Sequence, residues 1–65
     1  NKMNIEKVSP EEIKVGNKIY FFQQVVTVTE IREQTKTISF TLQEENGQTK
    51  PYTFFRGSVM VGKII

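Results

Sequence analysis

A chain of 65 residues with nine Lys and Arg against seven Glu, a net charge of +2 and neither Cys nor His excludes a disulfide framework and the usual structural zinc sites. The length allows one domain over residues 1–65, and a domain this short buries only about 60% of the surface its unfolded chain exposes. Nothing approaches the ~20 consecutive apolar residues of a membrane span or a signal-peptide core, so a soluble cytoplasmic protein without membrane contact is the default expectation.

Met3, Ile5 and Val8 are spaced as a short strand or an extended arm. In "SPEEIKVGNKI", Ser9 suits a helix cap, Pro10 the first helical position, and Glu12 stands three residues after Ser9 as in a capping box. One helical turn near residues 10–14 is expected, ended by Gly16 in a left-handed conformation, with Ile13 and Val15 dropping into the core. Residues 18–22 then alternate, Ile19 and Phe21 inward against Lys18, Tyr20 and Phe22 outward, and Gln23-Gln24 reads as a polar turn.

In "VVTVTEIRE", Val26 and Val28 share a face but Ile31 is out of phase by one residue. A β-bulge near Thr29-Glu30 would return it to that face and bend the strand. After the short turn "EQTK", the third run is the cleanest, with Ile38, Phe40 and Leu42 inward and Thr37, Ser39, Thr41 and Gln43 outward. Asn46-Gly47 is a hairpin signal because both residues accept positive φ. A fourth strand follows from about Thr49 to Arg56, with Tyr52 and Phe54 inward. Pro51 has no N–H, so this strand should lie at an edge or carry its proline where no ladder bond is needed. A turn at Gly57-Ser58 leads to a last short strand bearing Val61 and Ile64.

Five short strands, one helical turn and a bulged second strand argue for an all-β, five-stranded barrel. The segment "VGNKIYFFQQVVTVTEI" resembles the opening of many bacterial and phage SH3-like barrel domains, and Phe54 to Val59 is similar to their last strand and single 3₁₀ turn. The resemblance implies an SH3-like fold and carries no reaction. The hairpin "KTISFTLQEENGQTK" is similar to that of the small DNA-coating chromatin proteins of thermophilic archaea. The likeness is one of hairpin geometry, for those proteins are richer in lysine and use a tryptophan that this chain lacks, with Arg32 near the matching position. An OB-type barrel is the rival fold, but "EENGQ" leaves no room for its helix.

Chemistry is sparse. The pairs Glu11-Glu12 and Glu44-Glu45 fall in a helical first turn and at a hairpin tip, where carboxylates are solvated, and the four glycines are isolated and read as turn residues. No enzyme, cofactor or metal is therefore expected, and a non-catalytic binding module remains. The doublets Phe21-Phe22 and Phe54-Phe55 carry this reading, because neighbours on a strand face opposite ways. Tyr20, Phe22 and Phe55 should point outward, unless the amino-terminal arm covers one of them. Beside Arg56, Arg32 or Lys18 they would suit a protein partner or a second copy of the chain. The alternative partner is nucleic acid, through base stacking and phosphate contact, although the outward face of the third strand is neutral. An exposed late strand could also pair with an extended peptide, and "VMVGKII" is apolar enough to want cover.

Overall fold

A computed structural model describes residues 4–57 and 59–65. The domain is all-β, with strands β1 (Ile5–Val8), β2 (Lys18–Phe21), β3 (Gln24–Glu33), β4 (Thr37–Gln43), β5 (Thr49–Phe55) and β6 (Val61–Ile64) and one 3₁₀ turn over Pro10–Glu12. All six strands form one antiparallel sheet in the order β1-β6-β2-β3-β4-β5. Two expectations are thereby corrected. The strands number six and not five, because residues 5–8 take the strand alternative and pair along β6, and β1 and β5 do not pair, so the sheet is not closed as a barrel.

The inner face follows the sequence periodicity. Ile19, Val26, Val28, Ile38, Phe40, Leu42, Phe54 and Val61 form one buried cluster with Val8 and Ile13, and Phe21 and Ile31 pack against it. Register shifts between Val28 and Glu30, so Thr29 is the extra residue of a bulge and Ile31 rejoins the core side as expected. The sheet curves across the bulged β3 and brings β2 toward edge strand β5. Phe21 on β2 and Tyr52 on β5 are separated by three inter-strand steps of about 4.8 Å, or roughly 14 Å across a flat sheet. Their ring centroids lie 4.6 Å apart.

Turn chemistry departs from expectation at four places. Ser9 stands at the cap but its side chain makes no capping bond, and the 3₁₀ turn ends at Glu12. Asn17 Oδ1 accepts the Lys14 N–H at 2.9 Å and Asn17 N–H donates to the Lys14 carbonyl at 3.0 Å, closing a turn with Gly16 at φ +97°. Val15, at the tip of that turn, is driven into solvent at 61% exposure and is not core. In the β4–β5 hairpin only Gly47 has positive φ; Glu44 bonds to both Gly47 and Gln48, giving a three-residue loop whose glycine takes the left-handed position. The β2–β3 turn is Phe22-Gln23, since Phe21 already pairs with Gln24. Strand β5 ends at Phe55, and Arg56 lies in the following turn. Met3 and Ser58 lie outside the described residues.

Candidate functional site

Strands β2 and β3 are joined by only two residues, and a two-residue hairpin matches the twist of its strands when both have positive φ. Asn-Gly is the usual solution. Here Phe22 and Gln23 occupy these positions, at φ 50° and 65°, in a region that side chains bearing a Cβ adopt at a cost. The conformation lifts the Phe22 ring off the strand and leaves it 72% exposed. It is not isolated: its centroid is 4.3 Å from Phe21 and 6.1 Å from Tyr52, and Phe21 and Tyr52 in turn contact Phe54.

Tyr52 was expected inside a closed barrel. It does face inward and packs on Phe54 at 4.8 Å, but in the open sheet it remains 37% exposed. Phe21, Phe22 and Tyr52 therefore form an aromatic mouth where the β2–β3 tip meets edge strand β5.

The remaining candidates are dispersed. Tyr20 and Lys18 lie on the outer face of β2, with Tyr20 39% exposed and opposite Gly62 and Val25 in the register. Phe55, 67% exposed, faces outward on β5 opposite Thr37, and the amino-terminal strand, which pairs with β6, does not cover it. Arg32 occupies the same outer face two strands away, in a row with Ser39 and Thr53, whose hydroxyls are 2.8 Å apart. An open groove of about 360 Å³ runs there between Glu30, Arg32, Ser39, Thr41 and Pro51. Its hydroxyls are already engaged, Ser39 with Thr53 and Thr41 Oγ1 donating to Glu30 Oε1 at 3.3 Å.

Arg56 follows Phe55 in the chain, but its side chain is engaged by the protein itself. Its Nε donates to the Gln34 carbonyl at 2.9 Å, one terminal nitrogen reaches Glu33 at 3.2 Å and the other Glu11 at 3.5 Å, while its own N–H donates to the Lys36 carbonyl at 2.9 Å. The side chain is a clip joining the 3₁₀ turn, the β3–β4 turn and the end of β5. Hydrogen bonding to its own backbone N–H holds the Glu11 carboxyl below its ordinary range, against a smaller opposing effect of desolvation, with the Ser9 hydroxyl and Arg56 adding to it.

Sequence reasoning missed Tyr52 as an exposed contact residue and the role of Arg56. The first depends on whether the sheet closes and the second on contacts 22 and 23 residues apart, neither of which local periodicity reveals. Among the described residues no group of three acidic side chains is placed to hold a metal, and no helix is long and apolar enough to cross a membrane. No protein-family model, curated protein or solved structure matches the chain.

Proposed function

We propose that this domain is a non-catalytic binding module that recognises a protein partner through the mouth formed by Phe21, Phe22 and Tyr52 beside strand β5. The observation that carries the reading is the conformation of Phe22. A large apolar ring occupies a left-handed turn position that favours Asn or Gly, and most of that ring is given to solvent. Stability alone selects neither feature. Strain retained together with exposure is what a contact residue held ready for a partner shows. Aromatic side chains in a shallow, partly desolvated cluster are also the side chains that dominate binding energy at protein interfaces.

A protein partner is favoured over nucleic acid by the placement of charge. Of the cations expected to accompany the rings, Arg56 is engaged on three sides and Lys18 and Arg32 are on the outer face, while Lys50, on the same face of β5 as Tyr52, is paired with Glu44 at 2.6 Å. The proposal extends to the fold. The order β6-β2-β3-β4-β5, with the last strand beside the first strand of a bulged meander, supports an SH3-like arrangement to which β1 has been added at one edge.

Shift mapping of isotope-labelled protein against fractionated lysate tests the reading. The expected result is perturbation centred on Phe21, Phe22 and Tyr52 that is retained at moderate salt. Perturbation that avoids these rings, or that appears only with nucleic-acid fractions and declines with log salt, sinks it.

A further inference from the structure

Among the described residues the sheet has two open edges, and they are not alike. In antiparallel pairing, residues alternate between bonding to the neighbouring strand and directing N–H and C=O away from it. On β5 the bonds of Glu44 to Gln48 and of Arg56 to Lys36 fix that alternation, so Thr49, Pro51 and Thr53 face the edge. Pro51 brings no N–H there, which blocks the middle of this edge against a further strand.

On β1 the Ile65 N–H donates to the Asn4 carbonyl at 2.9 Å, so Asn4, Glu6 and Val8 bond to β6 while Ile5 and Lys7 direct their N–H and C=O groups outward. No proline or bulge interrupts β1. The side chains of Ile5 and Lys7 also share the outer face. Gly62, opposite Lys7 and Tyr20, has no Cβ, and one placed there would lie 2.8 Å from Ile5 Cγ2 and 3.9 Å from Tyr20 Cβ. Ile5 therefore leans over bare backbone toward Tyr20, and the outer stripe Val25, Tyr20, Ile5 runs to the edge of the sheet, ending 41% exposed at Ile5. The charge on these strands has one dominant sign: β1, β2 and β6 carry Lys7, Lys18 and Lys63 against Glu6 alone, and Glu6 lies on the other face opposite Lys63.

We infer that β1 accepts one further strand, from a protein segment that places an apolar side chain opposite Ile5 and a carboxylate opposite Lys7. A second copy of this chain is disfavoured, because antiparallel pairing of two β1 strands through Ile5 and Lys7 sets Glu6 directly against Glu6. Nucleic acid is disfavoured by an edge that offers backbone groups and aliphatic carbon with two lysines and no arginine on its outer face. The inference is independent of the aromatic mouth.

The test titrates labelled protein at millimolar concentration with three probes: the peptide Thr-Val-Thr-Glu-Thr-Val-Thr, the same peptide with Lys for Glu, and oligothymidylate. The expected result is amide shifts confined to β1 and its neighbours with the first peptide, and affinity roughly fivefold weaker with the second. Lys7→Glu reverses the preference. Ile5→Pro removes an outward N–H without removing a bond to β6, and abolishes binding while the remaining amide spectrum is unchanged. Absence of β1 shifts with either peptide, equal affinity for both, or a stronger response to oligothymidylate overturns the inference.

Discussion

Replacing Gln23 by Gly should stabilise the domain, and replacing Phe22-Gln23 by Asn-Gly should do so without its most exposed ring. A Cβ-bearing residue in the left-handed region costs roughly 1–2 kcal/mol. The Gln23 side chain, at φ 65°, makes no compensating hydrogen bond among the described residues, so Gln23→Gly recovers about 1 kcal/mol. In a domain of this size that raises Tm by about 4–8 °C. The double variant also relieves Phe22 at φ 50° but forfeits its packing on Phe21, a pair worth about 0.5–1.5 kcal/mol beyond area burial. Because 72% of Phe22 is exposed, little further burial is lost, and the double variant should be at least as stable as the parent. Urea unfolding followed by tyrosine fluorescence, with thermal melts beside it, reads both. If Gln23→Gly gives no gain, or the double variant loses more than about 1 kcal/mol relative to it and to the parent, the ring is a structural member and the strain argument fails.

Other consequences can be measured alongside. Phe40→Ala removes a ring that is 1% exposed, a loss of about 3–5 kcal/mol against a total of roughly 3–10 kcal/mol for this length, so the variant should be largely unfolded by circular dichroism. Arg56→Ala should cost about 1–3 kcal/mol, chiefly through the lost bond to the Gln34 carbonyl, with amide exchange accelerating first in the β3–β4 turn. Glu11 has a folded-state pKa below its ordinary value of 4.5, so its contribution is present above that pH and disappears as pH falls through the folded value. The stability difference between the parent and Glu11→Gln should therefore shrink steadily below pH 4.5. Deleting Thr29 keeps every neighbouring side chain on its present face but removes the bulge, so the nuclear Overhauser contacts between Phe21 and Tyr52 should weaken while those between Val28 and Leu42 persist.

Periodicity was enough to assign the inner faces of β2 to β5, and the single phase error at Ile31 was enough to place the bulge. Both are properties of consecutive residues. Which strands become neighbours was less legible, because β1 pairs with β6 from the opposite end of the chain and no local signal says that residues 5–8 find residues 61–64. The same limitation affects closure. A five-stranded pattern is compatible with a closed barrel, whereas the curvature actually reached leaves Tyr52 and Phe22 at an open mouth. Val15 shows how a turn overrides hydropathy: an apolar residue flanked by Lys14 and Gly16 is expelled once Asn17 closes the turn around it.

For the candidate site, the doublets indicated which rings would be exposed but not which would meet. Tyr20, Phe22 and Phe55 are all exposed, yet they stand on different parts of the sheet, and the residue that joins Phe22 is Tyr52, which alternation assigns to the interior. Arg56 looked like a surface cation because sequence shows its charge and not its three acceptors.

The most direct test of the aromatic mouth as a protein-binding surface uses the two turn variants as a matched pair. Each is immobilised and exposed to the same lysate, and captured protein is quantified after nuclease treatment. The account predicts that Gln23→Gly, with Phe22 intact, captures its partner as the parent does, and that the Asn-Gly double variant, equally folded, does not. Equal capture by both would contradict it.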